Sequence, residues 1–338
     1  MMERGLCREE LATMDSLRRT KILEYELVQR MLRKNRRVLE VWESCKRDWN
    51  QTLHVMTAYA MGAPRNSRPF EELAGVVSYV ACMKERSSHR RVEALLLGAS
   101  GLLDDEFFDD YIVGLQEEYD YLRHKYNLRT MNKSSWCRGG NFPAGGPVVR
   151  IVQWAALVAK EEFSMDSLME IRSTEDVERM FAVTTSDYWQ KRFKIDGKTA
   201  GACSHLGRDK VNMLAINLVV PMQFAYGAVM GREELKARAM DLLERIPAER
   251  NRLVSRWTGV GVPARSAYDT QALIELSHKC DEGRCEECPL GKQRKRALRL
   301  IKATRTCSLS FRFIKGISVT LEASSILNSI ASTRPSNK

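Results

Sequence analysis

The sequence predicts an all-α fold: a multi-helix assembly of orthogonal and antiparallel packing, ending in a Cys-rich turn and a poorly ordered basic tail. Three observations predict it. Apolar residues recur at three- and four-residue steps along most of the chain, the period of a helix with one buried face. Period-two alternation, the mark of a half-buried strand, is nearly absent until "SFRFIKGISVTLE" near the C-terminus. The connections between periodic runs are mostly as short as those that join packed helices.

Asp15–Asn50 reads as one long helix carried by Leu17, Ile22, Leu23, Leu27, Val28, Met31, Leu32, Val38, Leu39 and Trp42. The cluster "RKNRR", Arg33–Arg37, is expected on its solvated face. Gln51–Met61 continues helically to a turn-rich break, "GAPRNSRP". Phe70–Lys84 is the next helix, and Val92–Leu103 follows with two interior glycines. Those glycines are expected to allow close helix approach, since glycine costs about 1 kcal/mol against alanine in a helix. Phe107–Tyr126 is amphipathic, with Phe108, Tyr111, Leu115, Tyr119, Leu122 and Tyr126 on one stripe.

Trp136–Pro147, "WCRGGNFPAGGP", is too rich in glycine and proline for a helix or a central strand. Pro147 suits the start of a helix over Val148–Glu162. Ser173 is a cap for the helix running through Phe181. Asn212–Met230 is apolar with Pro221 inside it, so a kink or two short helices are expected. Arg232–Arg245 is amphipathic, Pro247 is expected to open a helix ending at Trp257, and Thr270–Cys280 is the last. The resulting organisation is a flexible lead at 1–14, a helical domain at 15–290 with a possible division into two lobes near 136–147, and a basic tail at 291–338.

At 338 residues the chain can bury one large core or two modest ones. The longest apolar region, Val211–Met230, is interrupted by Asn212, Asn217, Pro221 and Gln223, so no membrane span is expected. The first residues lack the apolar stretch of a signal peptide. Nine cysteines, an odd and scattered set, suit a reducing cytoplasm better than a disulfide framework. The net charge is +11, but eleven Lys or Arg against one acid lie beyond Gly291, so the body is nearly neutral. Affinity for a polyanion is therefore expected in the tail, at Arg294, Lys295, Arg296, Arg299 and Lys302.

Cys280, Cys285 and Cys288 have the spacing C-x4-C-x2-C, which can wrap a metal ion if a fourth ligand closes the site. His278 and Cys307 are the near candidates. His278 and Cys280 would point about 200° apart on a continuous helix, so His278 serves only if the helix ends early. Zinc is expected ahead of an iron–sulfur cluster. "CEECPL" resembles part of the iron–sulfur loop of helix-hairpin-helix DNA glycosylases, except that Arg294 stands where their last cysteine would fall.

A polar pocket able to receive an anion is expected from Asn141, Arg150, Gln153, Asn217 and Glu249, the alternative being a satisfied buried network that fixes helix register. The histidines, His54, His89, His124, His205 and His278, are dispersed without a catalytic motif. The acidic run Asp104, Asp105, Glu106, Asp109 and Asp110 reads as a helix N-terminal charge cluster.

Eight segments in order resemble the bacterial domain-of-unknown-function family twenty-eight fifty-one. They are "VEALLLGASGLLDD", "YIVGLQEEYDYLRHKYNL", "GNFPAGGPVVRIVQWAAL", "TTSDYW", "LAINLVVPMQFAYG", "AERNRLVSRW", "DTQALIEL" and "CDEGRCEECPLG", across roughly Leu17–Gly291. Members of that family usually carry an N-terminal β-rich region similar to a PD-(D/E)xK nuclease core. This chain shows no equivalent, so the resemblance implies the helical portion without nuclease activity. The expected function is a non-catalytic helical module that binds nucleic acid or a nuclease-type partner. The alternatives are a structural or protein-interaction domain, and an enzyme with a site around Arg150, Gln153 and Glu249.

Overall fold

A computed structural model describes residues 2–139, 145–195, 197 and 205–295. Among them the regular elements are helical, and the only strand-like pairing is an isolated bridge between Pro247 and Ser266. The all-α expectation is met. The chain divides into two units, Met1–Glu282 and Gly283–Lys338.

The expected flexible lead instead holds a helix, α1 (Met2–Thr13), whose Leu11 is fully buried and whose Arg8 lies over the Trp257 ring. α2 (Ser16–Ser44) starts where the Asp15 carboxylate accepts from the Arg18 amide. It does not run on to Asn50. Lys46 and Arg47 take left-handed backbone angles, which no helix can carry, and Asp48 then caps α3 (Trp49–Gly62). α3 is buried on nearly every side.

The expected Phe70–Lys84 helix is two, α4 (Ser67–Val76) and α5 (Tyr79–Glu85), because the Ser78 hydroxyl caps a fresh start. α6 (His89–Ala99) packs against α7 (Asp110–Tyr126). α7 begins at Asp110 under an Asp109 cap, which leaves Phe108 84% exposed and outside the buried stripe. α8 (Pro147–Ala159) places Pro147 in its first turn, as expected. α9 (Met165–Glu170) and α10 (Thr174–Phe181) follow, the latter under a capping box between Ser173 and Asp176.

α11 (Arg208–Leu214) and α12 (Val220–Met230) join through a π-helical turn, Ala215–Val219. The turn answers Pro221, whose ring would collide with the carbonyl four residues back in a regular helix. This run is long and apolar enough to cross a membrane by length and composition. Yet 61% of its most apolar stretch is buried inside the protein, as in a core helix. α13 (Glu233–Arg245), α14 (Arg252–Thr258) and α15 (Ala267–Asp281) complete the first unit. Pro247 does not open α14; the Asn251 carboxamide caps it five residues after Ile246. α2 lies against α15, α12 and α3, and α15 also against α13 and α14.

Of the two glycines expected to admit a close neighbour, Gly98 does so within α6: a Cβ there would fall 2.0 Å from Cγ of Tyr119. Gly101 lies past the helix at φ +72, in the turn that meets the Met131 carbonyl. Gly98→Ala is expected to cost about 1–3 kcal/mol through overpacking of the α6–α7 contact. Urea unfolding followed by circular dichroism would measure it, and an unchanged midpoint would show that Tyr119 yields freely.

Candidate functional site

The chemistry of the first unit concentrates where α2 faces α15 and the π turn. The 3.6-residue period sets Arg30, Arg33, Lys34 and Arg37 along one side of α2. Each has a partner, and of the run Arg33–Arg37 only Arg33 and Arg36 are exposed, so the expectation of a solvated face holds in part. Arg30 Nε donates to Gln271 Oε1 at 2.9 Å, and its guanidinium lies 3.8 Å from Glu275 Oε2. Arg33 pairs with the same carboxylate, and Arg37 with Glu71.

Lys34 has a different role. Its ammonium donates to the Ile216 carbonyl at 2.9 Å and to Asn217 Oδ1 at 3.0 Å. In the π turn Val220 bonds back to Ala215. The next amide in that series would belong to Pro221 and serve Ile216, but proline has none. Lys34 supplies the missing donor. Asn217 is held in turn by its own bond to the Met213 carbonyl, 3.0 Å.

Glu249 closes the cluster from the loop before α14. Its Oε2 accepts from Gln271 Nε2 and lies 3.2 Å from the Thr270 hydroxyl. Three cations, Arg30, Arg33 and Lys34, thus face two carboxylates, Glu249 and Glu275. Among the described residues no carboxylate lies within ion-pair distance of Lys34. Burial and the neighbouring Arg33 charge bring Arg30 down to about 10, against the pull of Glu275 and Glu249. Burial, then the charge of Arg30, holds Lys34 well below the usual lysine value. His278 is lowered by burial and by the charges of Arg30 and Arg33. Arg33 is 45% exposed at the side chain and forms the solvent-facing edge of the cluster.

Of the expected pocket residues, Asn217 and Glu249 belong to this cluster. Arg150 and Gln153 lie elsewhere, on α8: Arg150 donates to Gln153 at 2.8 Å, and Gln153 to the His205 carbonyl at 3.0 Å. Asn141 lies outside the described residues. Lys210, buried near Arg150, donates to the carbonyls of Ala60 and Met61, both at 2.8 Å, and so caps the end of α3. Burial, with Arg150 adding to it, pulls Lys210 well below the usual lysine range.

A second polar centre, outside the residues expected from the sequence, surrounds Glu93. Glu93 is fully buried, with Tyr111 Oη at 2.5 Å, Trp189 Nε1 at 3.1 Å and His89 Nε2 at 3.4 Å. The Ser186 hydroxyl sits 2.9 Å from Tyr111 Oη. The available signal was the i, i+4 spacing of His89 and Glu93 on one apolar helix. Of the acidic run, Asp109 as cap and Asp110 in the first turn stand at the start of α7, while Asp105 lies before it and pairs with Lys133.

The cysteine-rich turn straddles the boundary between the units, and each side is described alone. Cys280 is half-buried near the end of α15, which stays helical to Asp281, so His278 and Cys280 remain about 200° apart. In the second unit Cys285 is exposed and Cys288 buried. Gly291 lets the chain close: a Cβ there would meet the Cys285 carbonyl at 2.2 Å. Among the described residues no group of three or more His, Cys, Asp or Glu side chains could hold a metal ion. Of the expected nucleic-acid residues, Arg294 and Lys295 are described, with Lys295 Nζ 2.5 Å from Glu286. Arg296, Arg299 and Lys302 lie outside the described residues.

A family model described as protein of unknown function (DUF2851) matches residues 2–252. The match therefore takes in α2, the π turn and Glu249, and stops before α15. Of the eight resembling segments, "DTQALIEL" and "CDEGRCEECPLG" fall beyond it, and "AERNRLVSRW" runs past its end. No curated protein and no solved structure matches the chain.

Proposed function

The chain belongs to the DUF2851 family of proteins of unknown function, and from that premise we propose that it is a helical binding module whose α2–α15 cluster takes a phosphate of a nucleic acid. One observation carries the reading: Arg30, Arg33 and Lys34 face only Glu249 and Glu275, and burial first, then the Arg33 charge, brings Arg30 down to about 10. A cation destabilised by its neighbours gains from any anion that enters beside it. Arg33, at the exposed edge, is the group that would exchange its bond to Glu275 for a phosphate oxygen. Phosphate contacts supply affinity without reading sequence, so little base preference is expected.

The test is fluorescence anisotropy with labelled 20-nucleotide single-stranded DNA and RNA over a salt series. Arg33→Ala is expected to weaken binding on the order of 10-fold and to reduce the salt slope by about 0.7. Lys46→Ala, on the turn after α2, should leave both unchanged. Absence of binding at low salt would favour a protein-interaction role. Binding that survives Arg33→Ala would assign the affinity to residues beyond Gly291.

A further inference from the structure

A cavity of about 440 Å³ opens at the start of α8, within the size range of small-molecule sites. Its walls are mainly apolar: Leu102 is buried, and Phe107, Val148, Phe193 and Ile195 are half-buried. The two phenylalanines come from distant parts of the chain, Phe107 from the segment before α7 and Phe193 from the one after the 3₁₀ turn Trp189–Lys191. Two exposed cations, Arg138 and Lys194, line the same cavity. Among the described residues neither has a carboxylate within salt-bridge distance. The acid among the described lining residues, Asp105, pairs with Lys133. α8 is a third source of positive potential. Gly146 has no side chain to cap it and Pro147 has no N–H, so the first amides of this 13-residue helix, on Val148 and Val149, have no side-chain cap.

We propose that this cavity binds a nucleoside monophosphate, with the phosphate at Arg138, Lys194 and the start of α8, and the base against Phe107 and Phe193. The make-up of the lining selects that class of ligand. Two cations and a helix terminus worth about half an elementary charge offset the roughly −1.5 to −2 that a phosphate monoester carries at pH 7. Asp105 opposes this little, because Lys133 already neutralises it. A triphosphate would bring more charge than the lining meets. A free phosphate would leave the apolar walls facing water, whereas a nucleobase covers them and stacks on aromatic rings. None of the described lining residues belongs to α2, α15 or the π turn, so this is a second site, independent of the one proposed above.

Isothermal titration calorimetry of the whole chain with AMP, adenosine and inorganic phosphate tests it. AMP should bind with a Kd below about 1 mM, and each fragment on the order of 10-fold or more weakly than AMP. Arg138→Ala and Lys194→Ala should each weaken AMP on the order of 10-fold, with an unchanged helical spectrum because both side chains are exposed. Phe193→Ala should weaken AMP about 5-fold or more and leave phosphate binding as it was. Arg33→Ala, which disables the α2–α15 cluster, should leave AMP binding unchanged. Absence of AMP binding overturns the proposal. So does AMP binding that survives both cation variants, or phosphate that binds as tightly as AMP. Loss of AMP binding in Arg33→Ala would place the nucleotide at the α2–α15 cluster and overturn it equally.

Discussion

Lys279→Met will cost the fold about 3–5 kcal/mol. The Lys279 ammonium lies 2.6 Å from Glu26 Oε2, with the two side chains 3% and 0% exposed. The pair joins α15 to α2 on the buried side of α2, among Leu23 and Leu27. Two charges taken from water lose several kcal/mol of hydration each, and their mutual attraction offsets that only while both are present. Methionine fills much of the lysine volume, so packing changes little and the effect isolates the charge. The double variant Lys279→Met with Glu26→Leu should recover most of the loss, because it leaves no buried carboxylate. Urea unfolding of the three proteins at pH 7.5 and low salt measures both numbers. A single-variant loss under about 1 kcal/mol would mean that water reaches Glu26.

Acid will destabilise the protein well above the carboxylate range, through His54. This side chain is buried in α3, packed 4.9 Å from the Trp154 ring, and its Nε2–H donates to the Val77 carbonyl at 2.8 Å. Burial brings its pKa down to about 4, against the usual 6.5, with the Val77 bond opposing the shift. Between those values the unfolded chain binds a proton that the folded chain does not. Stability from this group is therefore complete above about pH 6.5 and is lost as pH falls towards 4. A displacement of this size amounts to about 3 kcal/mol. His54→Gln keeps a donor for Val77 and removes the titration. Its stability should change less than that of the wild type from pH 7 to pH 4.5, measured by denaturant unfolding at each pH. Parallel curves would refute the assignment.

The helical class was legible because apolar spacing is a local property. So were the capping box at Ser173, the Pro147 start and the role of Gly98, each set by residues within a turn of one another or by the absence of a side chain. The break at Cys45–Asp48 was not legible, since the apolar period of α2 continues across it and only the left-handed backbone of Lys46 and Arg47 ends the helix. The candidate site was legible in part. Asn217 and Glu249 stood out as polar residues in apolar surroundings, but Arg150 and Gln153 were assigned to the same pocket only because they too were polar. Arg33–Arg37 read as a solvated run because a charge pattern does not reveal what faces it.

By itself, the sequence determined that this chain forms helices, where most begin, and that its excess positive charge lies beyond Gly291. It also required a disturbance at Pro221. Tertiary structure alone decided what that disturbance is used for. Lys34, some 180 residues earlier, donates to the carbonyl that proline leaves open, and Gln271 and Glu275 arrive from α15 to face Arg30 and Arg33. Period and capping act over four residues, so they can be read along the chain. The pairing of a buried cation depends on which helices the core brings together, and no local pattern encodes that.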